Sequence, residues 1–259
     1  MGLYAVFGSP IGHSLSPRIH NSAFAEEGME CAYIPVEVAP DRLLTALDAF
    51  ARLGGRGVNL TRPLKETVFA YLDEVSPWAE AAGAANTLAY HLDGWYGDNT
   101  DVRALIDALN GPLADRPTRR ALVVGAGGVA RGSVVALREL GCEITVASRH
   151  KIDWPNCTWT AMTAVTRPAA WAVVVNATPL GQHGEANWPY LPHLVAGETI
   201  VVDWVYHPLR TTLIARAMEL GCPTVDGIGL LIGQARWAWQ TWFGRMGPEG
   251  PMVRALCAP

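Results

Sequence analysis

The residues of this chain whose types and spacing can do chemistry begin with a run of glycines. Gly125-Ala-Gly127-Gly128-Val129-Ala130-Arg131 follows the apolar run 120–124 and opens a stretch with helical spacing over 129–140. In that setting G-x-G-x-x-A is a dinucleotide-binding turn. The first glycine permits the turn, the second lets backbone approach a pyrophosphate, and the small third position lets the helix close on the strand. Gly125, Gly127, Gly128, Val129 and Ala130 are therefore candidate cofactor residues, with helix-terminal N–H groups for phosphate oxygens. The competing reading is a turn that serves packing alone. Where the next strand ends, an NAD site carries an acid for the ribose 2'-hydroxyl. Here the chain reads Ala147-Ser148-Arg149-His150. A hydroxyl and a cation suit a 2'-phosphate, which an acid would repel, so NADP is expected over NAD. The alternative is that Ser148 and Arg149 are solvated loop residues.

Other polar groups stand at the ends of apolar runs. Ser14 and Ser16 lie in Ser9-Pro-Ile-Gly-His-Ser-Leu-Ser-Pro17, just after a short strand-like run and just before Pro17, which can open a helix. Hydroxyls at a helix N-terminus suit a carboxylate ligand, and they equally suit ordinary capping. Lys65 falls about one helical turn beyond Thr61 at a strand-to-helix junction; a lone lysine is usually just solvated. Asn86-Thr87 and Asn99-Thr100-Asp101 also sit at element ends, where ligands of open α/β sheets gather. Asp101 alone reads as a helix cap. His13 and His20 flank the serine loop and are read as structural.

The elements that must position these groups alternate. Strands are expected at 4–7, 31–38, 57–60 and 84–90, with a hairpin turning at Asp93-Gly94, and helices at 20–27 and from Asp41, where Leu43, Leu44, Leu47 and Phe50 suit one face. The run 111–117, with Gly111, Pro112 and Pro117, reads as a linker. A second β-α-β series follows, with strands at 120–124, 143–147, 173–176 and 199–203, a helix at 209–220, a turn at 225–229 and a last helix at 230–243; the Gly- and Pro-rich tail is expected to fray. Residues 151–170 are weakly patterned. The expected architecture is α/β in two domains: a mostly parallel first unit, a Rossmann-type second unit, and a C-terminal helix returning to the first.

Composition sets bounds on all of this. The 259 residues are half hydrophobic and 17% charged, with net charge −4, which argues against a nucleic-acid partner. Five cysteines at long spacings, with no C-x-x-C pair, suggest neither a zinc site nor a redox dithiol, and fit free thiols in a reducing cytoplasm. Neither a signal peptide nor a membrane span is expected.

Taken together, the segments Gly8–Pro17, Gly57–Lys65, Asn86-Thr87-Leu88, Asn99-Thr100-Asp101, Gly125–Arg131, Asn176–Gly181, Asp203–Pro208 and Asp226–Gln234 resemble the shikimate dehydrogenase family nearly end to end and in order. The resemblance implies reversible reduction of 3-dehydroshikimate to shikimate by NADPH. It implies that Lys65 and Asp101 form the catalytic pair, and that Ser14 and Ser16 hold the substrate carboxylate. Thr61, Asn86 and Gln234 would bind ring hydroxyls or the carboxylate, with Tyr206 nearby. Thr178 would lie against the cofactor and Gly229 near the nicotinamide. No metal is implied. Residues 1–101 with the last helix (about 226–259) would bind substrate and 102–225 would bind NADP, with a cleft between them. The partner would be a small molecule, with no nucleic acid or membrane, and the enzyme a cytoplasmic monomer or homodimer. The chain departs from the family pattern at Ala85, at Ser148 and His150 beside Arg149, and in a shortened 151–170 stretch. Two rival readings are a quinate/shikimate dehydrogenase of broader substrate or cofactor range, able to use NAD, and a non-catalytic sensor of shikimate or NADP, disfavoured by the presence of both Lys65 and Asp101.

Overall fold

The structure, a computed structural model, describes residues 2–91, 94–116, 118–165, 171–183 and 197–257. Its contacts divide the chain into two units, 1–100 with 232–259, and 101–231.

The first unit is built on β1 (Gly2–Gly8), α1 (Ser16–Glu26), β2 (Cys31–Glu37), α2 (Leu43–Arg52), β3 (Gly55–Leu60), α3 (Leu64–Thr67), β4 (Glu74–Val75), α4 (Pro77–Ala82), β5 (Thr87–His91) and β6 (Gly94–Asp98). The strands form one sheet in the order β2-β1-β3-β5-β6-β4. β1 pairs in parallel with β2 and β3, whereas β5 runs antiparallel to both β3 and β6. Pro17 opens α1, and Gly28, at φ 63°, turns the chain out of it. The α2 side packs Leu43, Leu47 and Phe50 against Phe7, Val58, Leu60 and Leu88. Two expectations are corrected here. Leu44 is 55% exposed, because one residue along a helix turns the side chain by about 100° away from Leu43. Asp41 lies in a 3₁₀ turn (Pro40–Arg42) and caps nothing with its side chain. The turn at Asp93 lies outside the described residues.

The chain leaves this sheet through α5 (Thr100–Ala114). The expected linker at 111–117 begins later than predicted: α5 runs through Pro112 to Ala114, and Leu113 is fully buried, so apolar packing carries the helix one more turn. The second unit continues with β7 (Arg120–Val124), α6 (Gly128–Glu139), β8 (Glu143–Ser148), β9 (Thr158–Ala161), β10 (Val173–Asn176), β11 (Ile200–Asp203), α7 (Thr212–Glu219) and β12 (Thr224–Val225). Its strands are all parallel, in the order β12-β11-β10-β7-β8-β9. Counted within the unit that is 3-2-1-4-5-6, the doubly wound order, whose direction reverses between β7 and β10. Val173, Val174 and Val175 are completely buried, as a parallel sheet covered on both faces requires. Residues 149–157, between β8 and β9, form no helix.

α8 (Gly227–Phe243) and α9 (Glu249–Cys257) end the chain. α8 starts three residues earlier than expected, because the Asp226 carboxylate accepts from the Gly229 N–H at 2.8 Å and caps its first turn. From Ile232 onward these helices belong to the first unit. Trp242 donates its indole N–H to the Leu88 carbonyl (2.9 Å), and a Cβ at Gly57 would fall 2.4 Å from that same indole nitrogen. The tail does not fray. α9 lies on α1, with Met252 buried, Ser22 Oγ on the Pro251 carbonyl at 3.0 Å and Arg18 on the Ala255 carbonyl at 2.8 Å. Gly and Pro before and at its first turn hid a helix that Pro251 is free to join.

Candidate active site and dinucleotide site

In the first unit the candidate residues gather at one edge of the sheet, for a topological reason. β1, β3 and β6 end there, and antiparallel β5 begins there, with Val6 opposite Asn59, Asn59 opposite Thr87 and Thr87 opposite Asp98. Loops leaving three strands and the one entering a fourth therefore converge on one rim. The loop after β3 lies along the loop after β1: the Thr61 N–H donates to the Phe7 carbonyl at 2.9 Å and the Ser9 N–H to the Arg62 carbonyl at 3.1 Å. A Cβ on Gly8 would sit 2.3 Å from the Thr61 methyl, so glycine permits that approach. Lys65, half-buried on α3, is tied to the same rim through its carbonyl, which accepts from the Ala85 N–H at 2.8 Å.

Beneath the rim runs a buried hydrogen-bond network that the sequence reading missed. Ser16 is hydrogen-bonded to the Tyr33 phenol, which donates to Asn59 Oδ1 at 2.7 Å. Asn59 Nδ2 donates to Thr87 Oγ1 (2.9 Å) and to the Asn86 carbonyl (3.2 Å). Asn86 Oδ1 accepts from the Thr100 N–H at 2.8 Å, with the Thr87 and Thr100 hydroxyls each 3.1 Å away. This orients the Asn86 amide and fixes the residue directly before Asp101. Burial pushes the Tyr33 phenol well above its ordinary range, while its bond to Ser16 acts the other way. A buried carboxylate, Asp98, takes Ser76 Oγ (2.5 Å), the Asn99 N–H (2.8 Å) and Thr241 Oγ1 (3.1 Å), joining β6 to α4 and α8. Gln234, on α8, is buried in this unit. Ser14 is half-buried, and its oxygen accepts from the Ser16 N–H at 3.3 Å, a capping-type bond that leaves its own proton to donate.

His20 is structural. Its ring stacks on Tyr33 with centroids 4.4 Å apart, and its Nδ1 accepts from the Trp239 indole at 3.0 Å. Complete burial lowers its pKa to about 3, so it is neutral near pH 7. His13 is exposed.

In the second unit the glycine turn lies at the switch point of the sheet. Gly125 adopts φ 121°, and a Cβ there would fall 2.7 Å from the Ala177 carbonyl and 3.2 Å from the Thr178 methyl. The loops after β7 and β10 thus touch, and only glycine allows it. Gly127 caps α6 with no side chain, and a Cβ on it would meet nothing within 4 Å, so space stands open at the helix start. Ala130 is buried against the sheet, the small position the motif requires, while Gly128 and Val129 open the helix. Asn176 shapes the second loop: its Oδ1 accepts from Thr178 N–H (3.0 Å) and Oγ1 (2.6 Å), and its Nδ2 donates to Asp203 (2.9 Å). Asp203 also accepts from Thr211 Oγ1 (2.6 Å) and the Val205 N–H (3.0 Å); burial raises its pKa while these bonds oppose the rise. The Thr178 hydroxyl is thus spent inside its own loop. At the end of β8, Arg149 is exposed and Ser148 is buried.

Asp101, buried on α5, and Tyr206, half-buried after β11, belong to the second unit, as does Gly229. Among the described residues no cluster of His, Cys, Asp and Glu suits a metal ion, and no helix is long and apolar enough to cross a membrane.

Residues 6–88 match the family model described as the shikimate dehydrogenase substrate binding domain. The chain is 35% identical to the shikimate dehydrogenase (NADP(+)) of Symbiobacterium thermophilum, over 99% of this chain and 94% of that protein. It is 38% identical to the protein of the same description from Rhodospirillum rubrum, over 94% and 92%. Among solved structures it is similar to shikimate 5-dehydrogenase from Thermus thermophilus in complex with NADP(H) and shikimate, with TM-score 0.87, 33% identity and 98% of each chain covered. It also resembles shikimate dehydrogenase from Aquifex aeolicus, with TM-score 0.90, 29% identity and coverage of 100% and 98%.

Proposed function

The chain belongs to the shikimate dehydrogenase family, and we propose that it catalyses the reversible, NADPH-dependent reduction of 3-dehydroshikimate to shikimate in the synthesis of chorismate and the aromatic amino acids. The observation that carries this reading is the convergence of Ser14, Ser16, Thr61, Lys65 and Asn86 on one rim of the first sheet. The second unit fits NADP on its own evidence: open backbone at Gly127, a helix start with no side-chain cap, and a cation at the end of β8.

In this reading residues 1–101 with the C-terminal helix bind substrate, and 102–225 bind the dinucleotide. Bound NADPH supplies the hydride. Ser14 donates to the substrate carboxylate, Ser16 joins it by turning its hydroxyl from Tyr33, and Thr61, Asn86 and Gln234 engage ring hydroxyls or the carboxylate, with Tyr206 assigned to the same substrate. The Lys65 ammonium stabilises the oxygen that gains charge as the ketone is reduced and gives it a proton. Asp101 orients that ammonium. Gly125, Gly127, Gly128, Val129 and Ala130 meet the pyrophosphate, Arg149 the 2'-phosphate; Thr178 and Gly229 line the nicotinamide side. The enzyme works on small molecules alone, as a cytoplasmic monomer or homodimer.

One assay matrix tests this: shikimate and quinate, each with NADP and with NAD. The highest kcat/KM is expected for shikimate with NADP. A higher value for quinate with NAD would assign the chain to the broader quinate/shikimate class, and absence of turnover in all four would leave a binding protein.

A further inference from the structure

We propose that Trp159 and Ser148 are positioning residues for recognition of the NADP 2'-phosphate: they hold the Arg149 turn in shape and do not touch the phosphate themselves. The inference rests on the reading of Arg149 as the 2'-phosphate cation, and it revises the expectation that Ser148 is a ligand.

A serine hydroxyl has one proton and can donate one hydrogen bond. Ser148 Oγ already donates to the His150 carbonyl, at 2.5 Å. Its oxygen meanwhile accepts from the Trp159 indole N–H, at 3.0 Å. Phosphate oxygens are acceptors, so Ser148 can serve one only by giving up His150. With both roles filled and the residue 4% exposed, the hydroxyl instead closes a two-residue turn whose apex is Arg149. That closure turns the His150 carbonyl oxygen toward Ser148, which keeps a partial negative charge from facing an anion beside Arg149.

Strand register explains why Trp159 can reach. β8 and β9 pair in parallel with Val146 opposite Trp159 and Ser148 opposite Ala161. Residues 146 and 148 share a face of the sheet, so a large side chain at 159 spans the diagonal to 148. The need for such a brace comes from the connection itself. Residues 149–157 have no helix to rigidify them. They are anchored instead by Trp154, whose ring stacks on the Arg131 guanidinium at 4.7 Å, and by Trp159 on Ser148. Two tryptophans thus do for this turn what a crossover helix ordinarily does.

The test measures dissociation constants for NADP+ and NAD+ by titration calorimetry, with thermal midpoints as a check of folding. Trp159→Phe keeps the aromatic bulk and removes the N–H. It is expected to weaken NADP+ roughly three- to tenfold, the net worth of one hydrogen bond, and to leave NAD+ within about twofold. Ser148→Ala should behave alike, Ser148→Thr should keep the native NADP+/NAD+ ratio, and the Trp159→Phe/Ser148→Ala pair should add nothing to Ser148→Ala, because the indole acts through the hydroxyl. Equal weakening of both dinucleotides overturns the proposal, since the brace would then serve the unit as a whole. Loss of NADP+ affinity in Ser148→Ala with none in Trp159→Phe also overturns it, and makes Ser148 a direct ligand. Should Trp159→Phe melt below the assay temperature, the titrations of both variants are repeated below its midpoint, where the contrast between Ser148→Ala and Trp159→Phe decides the same point. Arg149→Ala separates the two levels. If it leaves NADP+ binding unchanged, the underlying assignment of the 2'-phosphate site fails; if it weakens NADP+ alone while Trp159→Phe does nothing, only the positioning proposal fails.

Discussion

At the rim of the first sheet the walls of the candidate site are side chains: Ser16, Tyr33, Asn59, Thr87, Thr100 and Asn86 bond to one another in a buried chain, and the groups that face a ligand stand on top of it. At the switch point of the second sheet the walls are backbone: Gly125 closes on the Ala177 carbonyl, and Gly127 leaves space open at the start of α6. The first kind of site suits a polyhydroxylated ring, because hydroxyls need individually aimed partners. The second reads a pyrophosphate, which needs only a concave array of donors. Each is vulnerable in its own way. The side-chain site should lose chemistry or affinity group by group. The backbone site should tolerate almost any side-chain change except one that adds atoms where there is no room.

The largest effect expected is Lys65→Ala. Turnover should fall by about 10²- to 10⁴-fold, the ordinary worth of a general acid. The dissociation constant for shikimate should stay within a few-fold, because several other groups hold the ligand. A fall in turnover of less than tenfold would remove Lys65 from its role. Next comes Gly125→Ala, which forces a side chain into φ 121° and onto the Ala177 carbonyl. Strain of about 1–3 kcal/mol is expected, read as roughly 10- to 100-fold weaker binding of NADP+ and NAD+ alike, with shikimate binding unchanged. An alanine variant with native dinucleotide affinity would break the contrast drawn above.

A third effect depends on pH. The folded pKa of His20 is about 3 against 6.5 when unfolded. The unfolded chain therefore binds a proton that the folded chain refuses, and the stability contributed by neutral His20 is present above pH 6.5 and lost as pH falls toward 3. Between pH 7 and pH 5 the loss from this group is about 2 kcal/mol. Urea unfolding at the two pH values should show that difference shrinking in His20→Gln; an unaltered slope would mean that another group carries it. The smallest effect is Tyr33→Phe, which removes one link of the buried chain and leaves Asn59 Oδ1 without its donor. About 1–2 kcal/mol of stability should go, with a modest rise in KM for shikimate and kcat nearly unchanged; a large fall in kcat would place Tyr33 nearer the chemistry than its burial suggests.

How much of this was legible beforehand follows the same division. The glycine turn could be read from residues alone, because the reasons for Gly125, Gly127 and Ala130 are steric and local to one β-α junction. The roles of Lys65 and Asp101 came only through family resemblance, since nothing in the neighbourhood of either residue says which distant group it must meet. Tyr33 and Asn59 were missed altogether. They lie inside strands, where an aromatic and an amide read as core and as decoration, and only the pairing of β1 with both β2 and β3 shows that their polar ends meet. Ser148 was placed at the correct strand end, but the direction of its proton depends on Trp159, eleven positions on, in a stretch without clear periodicity. Leu44 and the tail were misread for opposite reasons, one by stretching a helical stripe too wide and the other by giving punctuation residues more weight than the buried Met252.

The docking of α9 on α1 has a consequence for how the molecule is made. Arg18, Ser22 and Glu26 find their partners at Ala255, Pro251 and Arg254, so the first unit, which begins ahead of residues 101–231, is finished by helices that follow them. Residues 101–231 form an uninterrupted segment and can complete their sheet as they leave the ribosome. The opening hundred residues meanwhile expose the surface of α1 and the hollow beside Gly57 until Trp242 and Met252 arrive. Birth order and completion order are reversed, and a nascent chain halted before residue 232 carries a closed second unit and an unsealed first.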